Sequence, residues 1–423
     1  MKKTFLLSCL MLAAMPVMAA YTGHVYVDKN KNGVFDQSEK PLAGIKVSDG
    51  LNVVETAADG SFTLPGHERE RFIFITTPSG YKTFNRHYHK IEKKQSGYDF
   101  GLIPYSGRIR KNGSHRYIHI ADTEIFNTEN HADWVNNVRD YARNEQAAFI
   151  IHTGDICYEK GLKAHIKLMN TENMDCPVFY CIGNHDLVKG KYGEELFESI
   201  YGPVYYSFDA GNVHYVVTPM PGGDHAPGYT SDDVCRWLKN DLAHIRPGTP
   251  VVVFNHDLLT YEDTFIFKSK NAGSINLNEY NLKAWVYGHW HINYMKKQGD
   301  VYSVCTSSLD KGGIDHSTTA FRVMHVDSKG DFTSELRYTY LDKNICIASP
   351  AGVMASGVLP VAVNVYSSVS PVREVLYTCL ADGKPVLKNK RLLQSTDWSW
   401  NGELPLSHKY VGKELSLRVP ARF

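Results

Sequence analysis

Five stretches of the chain end an apolar run on side chains that can hold a metal ion or move a proton. "RYIHIADTE" delivers Asp122 and Glu124, "AAFIIHTGD" delivers Asp155, and "CPVFYCIGNHD" delivers Asn184 and His185. "PVVVFNHD" delivers His256, and "KAWVYGHWH" delivers His289 and His291. Short apolar runs of this kind predict buried strands, and the carboxyl ends of such strands are where open α/β sheets gather their ligands. One His or Asp at a strand end is most often a cap or a satisfied core residue. Five such ends in order point instead to one shared site for metal chemistry.

The segments between these stretches supply the scaffold. "HADWVNNVRDYA" places Trp134, Val135, Val138, Tyr141 and Ala142 on one helical face. "SDDVCRWLKNDLAHI" does the same with Val234, Trp237, Leu238, Leu242 and Ile245, with Ser231 as the expected cap. Strands alternating with helices from about 115 to 340 predict α/β layering. Before that, residues 21–104 read as short β runs punctuated by Gly, Asp and Pro, and "YSGRIRKNGSHR" reads as a linker. After it, "VAVNVYSS", "EVLYTCLADGK" and "ELSLRVPARF" are candidate strands. The expected domains are therefore 21–104 (β), 115–340 (α/β) and 341–423 (β).

The ordered set of an Asp-led first motif, "GD", "GNHD", an isolated His and "GHWH" resembles the calcineurin-like metallophosphoesterases over roughly residues 115 to 325. "WLKNDL" (237–242) looks like the helix these enzymes carry before their fourth motif. The resemblance implies a β-sandwich core flanked by helices and hydrolysis of phosphoester bonds by a hydroxide bridging two metal ions. It implies that Asp155 bridges the ions, that Asp122 and His291 hold the first, and that Asn184, His256 and His289 hold the second, with His185 beside them as proton donor. An anionic bridge offsets the repulsion of ions about 3.5–4 Å apart, and the mixed O and N set suits Mn, Fe or Zn.

The first motif departs from the family pattern, because "DTE" stands where D-x-H is usual. Glu124 is one candidate for the missing ligand. Tyr158 is another, since "GDICY" matches the G-D-x-x-Y spacing of purple acid phosphatases, whose Tyr binds as phenolate. Water is the third, with Glu124 then orienting it. An anion in place of imidazole shifts the preference toward Fe or Mn over Zn.

Two Gly-containing loops, 219–233 and 307–317, are candidates for substrate contacts; Asp310, Asp315 and His316 in the second have no assigned role. In "DKNKNGVFDQSE", Asp28, Asn30, Asn32, Gly33, Asp36 and Glu39 fall at positions one, three, five, six, nine and twelve of a calcium loop, with Val34 offering a carbonyl. Strands rather than helices flank it, which resembles calcium-loaded loops of bacterial β-sandwich repeats. A β-domain on each side of the core resembles the arrangement of exported bacterial phosphoesterases, and predicts N- and C-terminal β-sandwich domains. Trp398 and Trp400 could stack on sugars or belong to the core.

The chain's 423 residues are too many for one comfortable core, and 43% hydrophobic with 22% charged residues is an ordinary globular composition. Lys2 and Lys3, an apolar run and small residues at Ala19 and Ala20 predict a secretory signal over about residues 1–20 and a periplasmic or surface location. The run is too short for a membrane span. Lys and Arg total 46 against 45 Asp and Glu, which gives no electrostatic case for a nucleic-acid partner. Seven of the eight cysteines follow the signal and form no disulfide framework. The substrate is expected to be a small-molecule or polymeric phosphoester. Diesterase rather than monoesterase action, or a noncatalytic envelope-binding protein keeping a structural metal site, are the alternatives.

Overall fold

A computed structural model describes residues 20–340, 343–350, 357–367 and 370–423; the expected signal segment lies outside these but for its last residue. The central region is built on two mixed sheets packed face to face. The first runs in the order Val178–Tyr180, Phe149–His152, His115–Ile120, Ala320–Val326, Phe332–Tyr338. The second runs Tyr206–Ala210, Val213–Val217, Val251–Phe254, Leu282–Tyr287, Val301–Cys305, Tyr294–Gln298.

The strands that lead into the candidate residues pair in parallel within each sheet, His115–Ile120 with Phe149–His152 with Val178–Tyr180, and Val251–Phe254 with Leu282–Tyr287. Parallel strands covered on both faces are continuously apolar, and "FIIH", "VVVF" and most of "LKAWVY" are buried throughout. Between the sheets, Tyr117, Phe149 and Phe179 meet Phe208, Tyr215 and Phe254. The Phe179 and Phe208 rings stack across the gap with centroids 3.8 Å apart. Side chains of the opposite pleat, Ile118, Ile120 and Ile150, face a second core under the helix Ala132–Asn144, whose Trp134, Val135, Val138 and Ala142 are buried. Tyr141 of the expected stripe is only half-buried, packed against this core from its margin.

The helix Ser231–Ala243 buries Val234, Trp237, Leu238 and Leu242 as its pattern predicts, but its cap is Thr230 rather than Ser231. The Thr230 hydroxyl accepts from Asp233 N at 3.2 Å while the Asp233 carboxylate accepts from Thr230 N at 2.9 Å. This reciprocal box satisfies two otherwise orphaned donors, which Ser231 lacks an acidic residue at the right spacing to do.

Residues 21–104 form two small sheets around a core of Val25, Val47, Phe62, Ile73 and Phe100. They are tied to the centre by a buried polar chain. Thr76 shares a hydrogen bond with Ser207 (2.8 Å), Ser207 donates to Asp241 (2.8 Å), and His214 sits between Asp241 (2.8 Å) and Asp209 (2.7 Å). Burial pulls the His214 imidazolium down, but Asp241 and Asp209 together push it up to about 9. The expected linker is not a loose tether, for Arg108 donates to Ala147 O at 3.0 Å and pairs with Asp175 at 2.8 Å. The strands after 343 make two further sheets whose core includes Val363, Tyr377, Trp400 and Leu404. Trp400 is therefore a core residue, and Trp398 is buried with Tyr338 and Tyr366 against the last central strand, so neither offers a face to a sugar. All seven cysteines among the described residues are free, and no helix there is long and apolar enough to cross a membrane.

Candidate metal centre

Both sheets discharge their candidate residues at one edge. Asp155, His256 and His289 bring one ligand atom each to within 4.8 Å of one another, and Asp122, Asp155 and His291 do the same. Asp155 belongs to both groups. His256 Nε2 stands 3.2 Å from Asp155 Oδ2 and 4.0 Å from Asp122 Oδ1, and His291 Nε2 stands 3.5 Å from Asp122 Oδ1.

The backbone is held in unfavourable conformations to achieve this. Among the described residues fifteen non-glycine positions have positive φ, and seven of them are Asp122, Glu124, Asp155, Cys157, Tyr158, His289 and His291. Each such residue costs on the order of 1–3 kcal/mol and persists only where its surroundings overdetermine it. Here Asp122 N donates to Gly154 O (3.0 Å), Glu124 N to Asp155 O (3.1 Å), and His289 N to Asp122 Oδ2 (3.1 Å), so the strand ends lock one another. Gly183 is required by contact: a Cβ there would lie 2.2 Å from Asp155 Oδ1.

Two buried polar atoms are left without hydrogen-bond partners at this point, Asn184 Oδ1 and His256 Nε2. His256 Nδ1–H donates to Thr153 O at 2.6 Å, which orients the ring and turns Nε2 into the cluster. Burial disfavours a charged His256, yet Asp155 and Asp122 push it up to about 10. The Asp122 and Asp155 carboxylates thus call for positive charge where Nε2 enters the cluster, and O and N donors fit a transition-metal ion there in place of the proton.

His185 sits beside the cluster with a different set of contacts. Its N–H donates to Asp155 Oδ1 at 3.0 Å, while its ring Nδ1 lies 2.8 Å from Asp224 Oδ2. Burial lowers the imidazolium, but the Asp224 hydrogen bond and the Asp155 charge more than offset this, so it is raised above 6.5. Asp186 instead ties motifs together, accepting from Cys157 N (2.8 Å) and Gly183 N (2.9 Å).

Asp224 was not singled out by the sequence, though its loop was. Asp224 N donates to Asn184 O at 3.1 Å, and a Cβ on Gly223 would lie 2.3 Å from that same oxygen, so the loop lies directly against the "GNHD" turn. The N-terminal region buttresses it. Arg69 donates to Gly228 O (2.6 Å), and Arg71 pairs with Glu194 (2.7 Å), which accepts from Gly228 N (2.8 Å).

For the first-motif position, Glu124 Oε1 is 3.4 Å from His291 Nε2, and Glu124 gathers with Asp155 and Cys157 in a further group of converging atoms. Lys311 hydrogen-bonds the other Glu124 oxygen. Cys157 and Lys311 carry no sequence signal that would place them here. Tyr158 lies at the rim, 43% exposed, stacked on Phe126 and tilted against the His185 ring. In the second loop Asp310 pairs with Tyr340 and lies 3.8 Å from His131, Asp315 accepts from Ser317 N (3.1 Å), and the His316 carbonyl accepts from Asn364 (3.2 Å). These three residues hold the loop rather than join the cluster.

Comparison with known proteins agrees with this geometry. Residues 115–293 match the family model of the calcineurin-like phosphoesterases, and residues 29–104 match the model of the N-terminal domain of calcineurin-like phosphoesterases. The two together take in more than half of the chain. This chain belongs to the calcineurin-like phosphoesterases. That membership implies divalent metal ions at the centre. Purple acid phosphatase 13 of Arabidopsis thaliana is 26% identical over 215 residues, which are 48% of this chain and 36% of that protein, so the chain spans about a third of its length. Among solved structures, an archaeal phosphodiesterase is 13% identical, with 52% of this chain and 99% of that one covered and a TM-score of 0.27. Vacuolar protein sorting 29 from Cryptosporidium parvum is 11% identical, with 69% and 98% covered and a TM-score of 0.28.

In the N-terminal region the twelve-residue loop is closed on itself. Asp28 accepts from Asn32 N (3.1 Å) and Gly33 N (2.9 Å), Glu39 accepts from Lys29 N (2.9 Å), and the Asn30 and Asn32 amides both donate to Asp36 Oδ2 (2.7 and 3.0 Å). Val34 is exposed at its tip.

Proposed function

We propose that this chain is an exported hydrolase that cleaves phosphoester bonds at a two-metal centre. The observation that carries the reading is Asp155, shared between two converging ligand groups, with His256 Nε2 and Asn184 Oδ1 buried beside it without a hydrogen bond. Asp122, Asp155, His291 and Glu124 would hold one ion, and Asp155, Asn184, His256 and His289 the other. The position of Glu124 beside His291 favours it over Tyr158 as the additional ligand, and its anionic oxygen favours Fe or Mn over Zn. When bound, the ions would supply electrophilic charge at the phosphoryl oxygens and an ionised water as nucleophile at neutral pH.

The remaining chemistry belongs to side chains. His185 keeps its backbone on the bridging carboxylate and its ring on Asp224, so its Nε2–H is free to protonate the leaving oxygen. Asp224 holds the ring in that tautomer and favours the protonated form. Lys311, beside Glu124, brings a cation to the rim where an anionic substrate enters. Hydrolysis of a panel of phosphomonoesters and phosphodiesters by the metal-reconstituted protein tests the reading and separates the two ester classes. Absence of turnover on every member, with metal bound, would leave a metal-holding scaffold instead.

The "DKNKNGVFDQSE" loop is assigned to calcium on its ligand spacing and on the Asp28 and Glu39 contacts that close it. Export is supported by the leader pattern at Lys2 to Ala20, and the mass of the mature N-terminus tests it.

A further inference from the structure

The large apolar side chains that the central region leaves in water gather around the metal centre. Seven are exposed among the described residues of 115–340, and all but Tyr340 closely follow a metal-centre residue in the chain, in a loop, at a helix start (Tyr158) or on a strand (Tyr294, Met295), or, as Ile314 does through its N–H to His291 O (2.9 Å), bond to one. Exposed apolar residues scattered singly need no explanation, but a contiguous set at a site does.

Two of them make a flat wall. The Phe126 and Tyr158 rings stack at 6.2 Å with an interplanar angle of 18°, and Phe126 is 53% exposed. Tyr158 also meets the His185 ring at 5.3 Å. Phe126 follows Glu124 by two residues and Tyr158 follows Asp155 by three, so the wall is anchored to the same strand ends as the ligands. Lys311 Nζ lies 5.9 Å from the Phe126 ring centre and fixes the loop side through Glu124. The wall therefore stands on the His185 side, where the leaving alcohol must depart.

We propose that Phe126 and Tyr158 select phosphoesters whose leaving alcohol carries a planar aromatic ring, as a nucleoside or an arylalkyl alcohol does. This rests on the hydrolytic reading. The bond from phosphorus to the alcohol oxygen breaks, water supplies the oxygen of the new bond to phosphorus, and the His185 proton goes to the departing alkoxide. A ring laid on the wall places that alkoxide next to His185. A flat face rewards a flat partner, because stacking of a base or aryl ring on an exposed aromatic gains contact that a puckered ring of equal size does not.

The test compares 2-phenylethyl phosphate, 2-cyclohexylethyl phosphate and a nucleoside 5′-phosphate with the metal-loaded full chain, and titrates benzylphosphonate and cyclohexylmethylphosphonate calorimetrically. The planar members should be favoured about tenfold, in KM rather than kcat and equally in phosphonate affinity. Phe126→Ala should erase that preference, and Tyr158→Phe should keep it. If both planar esters exceed the cyclohexyl ester and the nucleoside ester exceeds 2-phenylethyl phosphate in turn, the class narrows to nucleosides. Equal or absent binding of the two phosphonates, or a preference that survives in Phe126→Ala, overturns the wall as a selector. Planar phosphonate preference without turnover of any ester would instead retain the wall and overturn the hydrolytic reading.

Discussion

Replacing Asp224 by Asn keeps the shape of the partner that faces His185 Nδ1 and removes its charge. The pair is 2.8 Å apart, with side chains 34% and 38% exposed. A hydrogen bond to a charged group is worth about 1.5–3 kcal/mol when well shielded. At this exposure solvent screening reduces that to about 1 kcal/mol, or roughly fivefold in rate. Removing the acid altogether costs far more, on the order of a hundredfold or greater, but only where the leaving oxygen needs a proton. Alkyl esters do; 4-nitrophenyl esters leave as anions unaided. Steady-state kinetics on a matched alkyl and nitrophenyl pair should therefore show Asp224→Asn down about fivefold on the alkyl ester and nearly unchanged on the other. His185→Ala should follow the same pattern at larger scale while keeping its metals. Because Asp224 acts through His185, the double variant should be no worse than His185→Ala, a non-additivity expected of residues in one network. Equal losses on both leaving groups, or a double variant that is a further fivefold slower, would refute the dyad.

Glu124→Gln should weaken one metal site, read as a lower metal content, while Tyr158→Phe should leave content and visible spectrum unchanged; a charge-transfer band lost in Tyr158→Phe would return the ligand role to the phenolate. Calcium should raise the melting temperature of the full chain by linkage, with the increment reduced in Glu39→Gln and turnover held within about twofold; equal melting in calcium and in chelator rejects that loop as a site. His214 should make stability fall in alkali. Its folded value, about 9, exceeds the ordinary 6.5, so its contribution is fully present below about 6.5 and is lost as pH rises through about 9, on the order of 3 kcal/mol in total. A flat unfolding free energy over that window contradicts the assignment of charge to this buried histidine.

What the sequence made legible was local. "AAFIIHTGD" and "PVVVFNHD" announce buried strands ending on Asp155 and His256 because an apolar run and a polar stop sit within ten residues. Asp224 lies 39 residues from His185, in a loop whose glycines signalled close approach without saying to what; only the fold places Gly223 on Asn184. Lys311 reaches Glu124 across 187 residues, and Cys157 enters the cluster through a turn at φ 75° that a Cys does not advertise. The Tyr158 spacing matched a known phenolate position, but a positive φ at Cys157 and again at Tyr158 turns the ring onto Phe126. Spacing fixes which residues leave a strand together and leaves their direction to the backbone.

The central claim is that Asp155 bridges two ions, and metal analysis of the wild type and Asp155→Ala, paired with turnover on 4-nitrophenyl phosphate, tests it most directly. The account predicts two transition-metal ions per wild-type chain, fewer than two in the variant, and at least about a thousandfold loss of turnover, as expected when the ionised water that a metal pair supplies is lost. A variant that keeps both ions and near-normal turnover would contradict it.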